Sequence, residues 1–329
     1  MVWIIFLGST FLLVLAAIKL AEYGDVIACR TGLGGMFIGT LLMAGATSLP
    51  EFLTSINAVQ QNVLSIAAGN MLGSNMFNML LIGLVGLVFF RQRVLRRVAM
   101  KHALTASFAV LLIGMTTFFI AANIDVKIGW IGLDSILIII TYIASVWFIR
   151  ANDGGSGEAQ LSEEELCALP SLRTGVIGFT LSALVLILVS PYLVRSSAEI
   201  AEITGLGSGF VGSVLVAMIT SLPEMVSVIA AVKIGAYDMA VGNLFGSNVF
   251  NMAALGMTDV FYTQGRFLGA IDPQFTLVGM LGLLLTTLGL IGNQARLDRR
   301  IWIVEIDAIL LVITYFVGVW LLYSRGIGL

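Results

Sequence analysis

Thr47-Ser48-Leu49-Pro50-Glu51 returns as Thr220-Ser221-Leu222-Pro223-Glu224, 173 residues later (220 − 47), each copy inside a long apolar segment. A carboxylate, two hydroxyls and a helix-breaking proline at bilayer depth, made twice, are the parts of one cation site built from two halves. Pro50 cannot donate a backbone hydrogen bond and clashes with the carbonyl of Ala46, so the helix should break just ahead of it. The carbonyls from Ala44 to Thr47 are then expected to be free, and those from Ala217 to Thr220 likewise ahead of Pro223. Unpaired backbone oxygens in a bilayer are costly unless something replaces the lost partner, and a cation does so.

A charge at mid-membrane costs at least about 2.5–3.5 kcal/mol on insertion scales, so Glu51 and Glu224 should face protein or a cavity rather than lipid. Around them the repeat supplies oxygen only: the hydroxyls of Thr47, Ser48, Ser74, Thr220, Ser221 and Ser247, and the amides of Asn78 and Asn251. Ser74 and Asn78 are four residues apart and share one helix face, as do Ser247 and Asn251. Gly69, Gly73, Gly242 and Gly246 between them permit close helix approach. Mixed oxygen ligands on irregular backbone suit Ca²⁺ and Na⁺, and the region has no Cys or His to suit zinc or copper. Two ionised glutamates are balanced by one Ca²⁺ or by two Na⁺. Met once in a soluble chain, the same string would read as an ordinary helix start, with Pro and Glu in the first turn. It occurs twice, each time followed at equal distance by Gly-Asn-x-x-Gly-Ser-Asn-x-Phe-Asn, which favours the ion site.

The elements that must hold these residues follow from composition. Hydrophobic residues make up 59% of the 329 and charged residues 11%, against roughly 45–50% and about 25% in soluble proteins. This composition implies an all-α integral membrane protein. With about 20 apolar residues per crossing, the chain divides into ten transmembrane helices at 2–20, 34–60, 63–90, 104–122, 128–149, 173–194, 207–232, 236–262, 268–291 and 301–323, the second and seventh broken at the ion site.

The similarity between halves extends well beyond the pentapeptide. Thr31-Gly32-Leu33-Gly34 matches Thr204-Gly205-Leu206-Gly207, and Asp134, Thr141, Tyr142, Val146 and Trp147 match Asp307, Thr314, Tyr315, Val319 and Trp320. The unit contains five helices, an odd number, so the copies enter the membrane from opposite sides as an inverted repeat. The first repeat spans residues 1–150 and the second 173–329. Residues 151–172, polar and glycine-rich, form a linker with a possible Ser-x-x-Glu helix cap at Ser162.

The formal charge of −2 gives no sign of a nucleic-acid partner. The basic residues report topology instead: with both termini extracytoplasmic, 13 of the 17 Lys and Arg fall on the cytoplasmic side, leaving Lys127, Arg195, Arg266 and Arg325 outside. A cell membrane, inner or plasma, is the expected location. No basic segment precedes the first apolar stretch, which reads as a retained helix rather than a signal peptide. Cys29 and Cys167 both map to the cytoplasmic side, where thiols stay reduced.

The paired motifs resemble the two alpha-repeats of the calcium/cation antiporter superfamily, in its prokaryotic sodium/calcium exchanger branch, and the similarity covers nearly the whole chain. The resemblance implies a four-helix core from the second, third, seventh and eighth spans, with the first and sixth sliding across it. It implies exchange of Ca²⁺ for Na⁺ by alternating access, with Glu51 and Glu224 as ligands. By position it also nominates Thr47, Ser48, Ser74, Asn78, Thr220, Ser221, Ser247 and Asn251 and the carbonyls of Ala44 and Ala217. Some archaeal exchangers and the potassium-dependent branch carry Asp where this chain has Asn251, which counts against potassium coupling. Proton-coupled relatives usually lack the Ser-Leu-Pro string, which favours sodium. Proton/calcium and sodium/magnesium exchange through the same carboxylates are the alternatives; tight octahedral geometry counts against magnesium. An enzyme is not expected, since there is no His-Glu-x-x-His string and no phosphate-cradling glycine loop beside a lysine. Nor is a cofactor or an obligatory protein partner; the implied partners are the bilayer and the two ions.

Other polar residues read as structural. Asp134 and Asp307 should cap or pair near helix starts, and His102 should lie at the membrane edge with Arg96, Arg97 and Lys101. Glu199 and Glu202 are expected in a solvated loop beyond the sixth helix.

Overall fold

The computed structural model describes residues 1–30, 43–90, 102–152, 170–233, 235, 237–294, 300–301 and 304–327. Its helices are α1 Val2–Arg30, a helical turn over 43–47 leading into α2 Leu49–Gln60, α3 Leu64–Val88, α4 Ala103–Ala122, α5 Leu133–Asn152 and α6 Leu172–Thr204. Then come α7 Ser208–Thr220, α8 Leu222–Lys233, α9 Tyr237–Thr258, α10 Phe267–Ala270, α11 Phe275–Gln294 and α12 Ile306–Arg325. Among the described residues seven helices are long and apolar enough to cross a membrane, or eight if α7 and α8, bent by 42°, count as one span. The chain is a membrane protein with several apolar spans.

Burial sorts the helices. Of the most apolar stretch of α3, 83% lies inside the protein, against 22% for α5 and for α6. The outer helices turn Leu181, Leu184 and Leu188 of α6 and Phe316 and Trp320 of α12 outward, as helices bathed in lipid do. Because most of α3 and α9 is enclosed, their faces can carry amides and hydroxyls that find partners in neighbouring helices rather than in water. α1 and α6 pack on each other as a separate cluster, through Leu13, Ala17 and Leu20 against Leu186, Leu193 and Ile200. That pair meets the broken helices at Ala46 and Ile219.

Several expected boundaries shift. The first helix runs on to Arg30, and the sixth to Thr204 through Pro191, where the spans were set at 2–20 and 173–194. The sixth runs unbroken through its proline; around it Gln61 Nε2 donates to the Pro191 carbonyl at 3.3 Å, and Ser196 and Ser197 bond back to Tyr192 and Leu193. Glu199 and Glu202 therefore lie on the last turns of α6, exposed, and not in a loop. The fifth and tenth helices begin later than expected, because two-residue strands precede them. β1 Lys127–Ile128 pairs with β2 Ile131–Gly132, and β3 Arg300–Ile301 with β4 Val304–Glu305. These hairpins stand 173 residues apart (300 − 127), the offset of the pentapeptides. Asp134 and Asp307 are thus each the second residue of their helices, near the starts as expected. His102 is buried at the start of α4, its Nε2 3.8 Å from Asp238 Oδ1 of α9. Thr31 to Gly34, the basic run from Arg91 to Lys101, Ser162 and Cys167 fall outside the described residues.

α7 holds a feature absent from the sequence reading, a π-helical stretch over Val211–Val216. It lies against α3 so closely that a Cβ on Gly73 would sit 2.1 Å from the Ser213 carbonyl oxygen, and one on Gly69 2.8 Å from Ser213 N. Both obstacles are backbone, so neither can swing aside. Gly73→Ala should therefore exceed the usual overpacking cost of about 1–3 kcal/mol. Gly114→Ala in α4, whose nearest neighbour is Leu283 Cδ1 at 3.8 Å, should be neutral or stabilising through helix propensity. Thermal unfolding of the two variants in detergent checks this contrast; equal midpoints would remove the close approach from the account.

Candidate cation site

The breaks in the second and seventh helices have the same backbone. Ser48 sits at φ −90°, ψ 4° and Ser221 at φ −88°, ψ 9°, each ending one helical stretch and opening the next. Pro50 and Pro223 then occupy the first turns of α2 and α8, where a missing N–H costs little. Glu51 and Glu224 follow at once, both fully buried.

One expectation needs correction here. The Ala44 and Ala217 carbonyls are not free: Ala44 O accepts from Ser48 N at 3.0 Å and Thr47 Oγ1 at 3.2 Å, and Ala217 O from Ser221 N at 3.1 Å and Thr220 Oγ1 at 3.3 Å. The bridge-region serine folds the chain back onto these carbonyls even as the proline abandons its own. The carbonyls that meet a proline ring in place of the usual N–H are those four residues before each proline, at Ala46 and Ile219.

The carboxylates are joined crosswise. Ser48 Oγ, from the first half, donates to Glu224 Oε1 at 2.8 Å, and Ser221 Oγ, from the second, donates to Glu51 Oε1 at 2.8 Å. Ser247 Oγ of α9 lies 3.5 Å from the same Glu224 oxygen. The other oxygen of each carboxylate, Oε2, is buried with no hydrogen-bond partner, as are Ser74 Oγ, Asn78 Oδ1 and Asn251 Oδ1. Buried oxygens without donors, two of them on carboxylates, have the chemistry that a cation would satisfy. Of the sequence candidates, Glu51, Glu224, Ser48, Ser221 and Ser247 meet directly. Ser74, Asn78 and Asn251 lie on the buried faces of α3 and α9. Thr47 and Thr220 reach across the halves to amides, at 3.4 Å from Asn243 Oδ1 and 2.9 Å from Asn70 Oδ1.

Those amides, Asn70 and Asn243, belong to the repeated Gly-Asn-x-x-Gly-Ser-Asn string and are not among the candidates read from the sequence. Asn70 Nδ2 donates to the Glu51 carbonyl at 3.0 Å and to Ser55 Oγ at 3.1 Å, tying α2 to α3. Asn243 Nδ2 donates to Ser227 Oγ at 2.9 Å, tying α8 to α9. Each clamp sets the angle at which a broken helix presents its glutamate. The signal available was a buried amide repeated at fixed distance from the glutamate, which oxygen counting alone does not rank. Among the described residues no three Asp, Glu, His or Cys side chains cluster into a resident metal centre; the site is two carboxylates among neutral oxygens.

Comparison with known proteins follows the same pattern. The sequence profile of the family described as sodium/calcium exchanger protein matches residues 1–150 and 174–324. The chain is 27% identical over 272 residues to the inner membrane protein YrbG of Escherichia coli, covering 80% of this chain and 79% of that one. It is 27% identical over 298 residues to the sodium/calcium exchanger MaX1 of Methanosarcina acetivorans, covering 79% and 82%. Its fold matches the crystal structure of the H⁺/Ca²⁺ exchanger CAX with a TM-score of 0.66, at 13% identity, over 98% of this chain and 88% of that one.

Proposed function

The chain belongs to the sodium/calcium exchanger protein family, and from that premise we propose that it is a secondary antiporter, not an enzyme, exchanging Ca²⁺ for Na⁺ across a cell membrane by alternating access. Ten spans form two inverted five-helix repeats, residues 1–150 and 173–329, joined by a cytoplasmic linker at 151–172, with both termini extracytoplasmic. The observation that carries the reading is the crossed pair of bonds, Ser48 to Glu224 and Ser221 to Glu51, with the second oxygen of each carboxylate left unpartnered. Each half supplies one charge and the donor that orients the other half's charge, so neither half makes the site alone.

Glu51 and Glu224 bind the ion, joined by Ser74, Asn78, Ser247, Asn251, Thr47, Thr220, Ser48 and Ser221. Ala44 and Ala217 enter through their carbonyls only where the Thr and Ser donors move off them. Two negative charges are neutralised by one Ca²⁺ or by two Na⁺, and never comfortably by one Na⁺, so each ion displaces the other. The distinct α1–α6 pair against the broken helices is the natural moving part, since sliding it changes which side of Ala46 and Ile219 is covered without rebuilding the carboxylate pair.

Proton coupling is the second reading. The fold alone is shared with a protein described as an H⁺/Ca²⁺ exchanger, and fold does not choose the coupling ion. Exchange of Na⁺ for Mg²⁺ through the same carboxylates is the weaker variant. Ca²⁺ uptake into sealed vesicles should require an outward Na⁺ gradient and ignore an imposed pH gradient. Uptake driven by pH without Na⁺ would replace the sodium reading with the proton one.

A further inference from the structure

We infer that Asn75 of α3 and Asn248 of α9 are positioning residues, which aim the side-chain oxygens of Asn251 and Asn78 into the site. The inference rests on the cation-site reading above and adds two residues that make no contact of their own with the carboxylates. All four asparagines are fully buried. They bond in a crossed pattern: Asn78 Nδ2 donates to Asn248 Oδ1 at 3.0 Å, and Asn251 Nδ2 donates to Asn75 Oδ1 at 3.1 Å.

An amide has one donor end and one acceptor end. Once the Nδ2 of Asn78 and of Asn251 is taken by a neighbour's oxygen, the Oδ1 must point the other way, and both of these Oδ1 atoms are buried without a donor. Each stands one helical turn beyond Ser74 or Ser247, the latter against Glu224. Were either amide turned over, it would offer a cation two N–H groups in place of an oxygen. Asn75 and Asn248 prevent that turn.

The two supports are unequal, and the inequality is written in the sequence. Asn248 is itself anchored: its Nδ2 lies 3.4 Å from Thr286 Oγ1 and 3.5 Å from the Asn75 carbonyl, and Thr286 donates to Gly282 O at 2.7 Å. The position matching Thr286 in the first half is Ile113, which has no hydroxyl. Asn75 Nδ2 accordingly has no partner. The Asn78 oxygen is held by a chain of three side chains and the Asn251 oxygen by a single bond, so the site has one fixed and one adjustable neutral ligand.

The test is equilibrium binding of radiolabelled Ca²⁺ to the purified full-length chain in detergent, beside initial rates of exchange in vesicles. Asn75→Ala and Asn248→Ala should each weaken Ca²⁺ binding by about 10- to 100-fold, the usual effect of removing a residue that orients a ligand. The maximal rate should fall much less than the half-saturating concentration rises. In an Asn251→Ala background Asn75→Ala should add nothing, whereas paired with Asn78→Ala its effect should be additive. A residue that merely supports the fold would lower the yield of folded protein and leave affinity unchanged. Thr286→Val, at a residue whose hydroxyl bonds Asn248 and Gly282, should weaken binding by about fivefold, one neutral hydrogen bond's worth; if the alanine variants do not fold, this variant decides. Asn75→Ala and Asn248→Ala within twofold of wild type, or Thr286→Val equal to it, overturns the inference. Absence of Ca²⁺ binding by the wild-type chain overturns the cation-site reading instead.

Discussion

Glu51→Gln and Glu224→Gln should each abolish calcium exchange while leaving a folded protein. Glutamine keeps an oxygen to accept the Ser221 or Ser48 hydroxyl and occupies nearly the same volume, so the broken helices keep their junction. What disappears is one of two charges facing the ion. At an effective dielectric near 20, two unit charges about 4 Å apart attract by about 4 kcal/mol, and a divalent ion doubles the figure. Affinity should therefore fall by about 10³-fold or more. A second readout separates this from damage. Buried charges without partners cost stability, so the ion-free variants should unfold at a temperature no lower than the ion-free wild type. The rise in unfolding temperature that Ca²⁺ gives the wild type, about 2.7 kcal/mol of stabilisation at 100 times the dissociation constant, should vanish. A Glu51→Gln protein that still exchanges Ca²⁺, or is still stabilised by it, would remove the carboxylate pair from the mechanism.

The carboxylates were legible because their cost is local. A glutamate beside a proline inside an apolar run violates the rules of a membrane helix on sight, and its repetition at one offset says that two such violations share a remedy. The break itself was equally legible, since Pro50 and Pro223 remove a hydrogen bond wherever the helix packs. The fate of the Ala44 and Ala217 carbonyls was not, because it depends on the backbone angles of Ser48 and Ser221 and on hydroxyls turning back toward their own helix.

The amides mark a second limit. Asn70, Asn75, Asn243 and Asn248 act on residues far away in the chain, Asn75 on Asn251 and Asn248 on Asn78, and helix spacing reports only neighbours on one element. The hairpins ahead of α5 and α12 were hidden for another reason: two-residue strands are too short to show alternation. Their common offset nonetheless repeats the duplication in a feature that no composition argument used. The length of α6 was misjudged because Arg195, Glu199 and Glu202 end the apolar run from which the span was set, while the helix itself continues to Thr204.

Arg266→Ala should be the most destabilising single change among the ion pairs described. Its guanidinium lies 3.1 Å from Asp134 Oδ2 and also bonds Asn123 Oδ1, with the Arg266 and Asp134 side chains only 5% and 2% exposed. Gly132 and Gly269 leave the room it occupies: a Cβ on Gly132 would lie 2.5 Å from Arg266 Cγ, and one on Gly269 2.5 Å from Nη2. Nearby, Asp259 accepts from Gly132 N at 2.7 Å and Phe267 N at 2.5 Å, and Trp130 Nε1 donates to the Val260 carbonyl at 3.1 Å. The cluster thus joins the β1–β2 hairpin of the first half to the turn after α9 in the second. Removing the arginine leaves Asp134 buried beside Asp259 with no ion-pair partner among the described residues, and breaking a buried pair in this way costs about 3–5 kcal/mol. Neutralising both partners, Arg266→Gln with Asp134→Asn, should recover much of that loss, because the penalty comes from the stranded charge rather than from the missing attraction. The Lys19–Glu22 pair, 58% and 55% exposed, supplies the control: Lys19→Ala should be indistinguishable from wild type. Thermal unfolding of the four proteins in one detergent decides the matter. An Arg266→Ala midpoint equal to that of Lys19→Ala, or a double variant worse than the single, would mean that the joint between the halves is held by backbone contacts rather than by this buried pair.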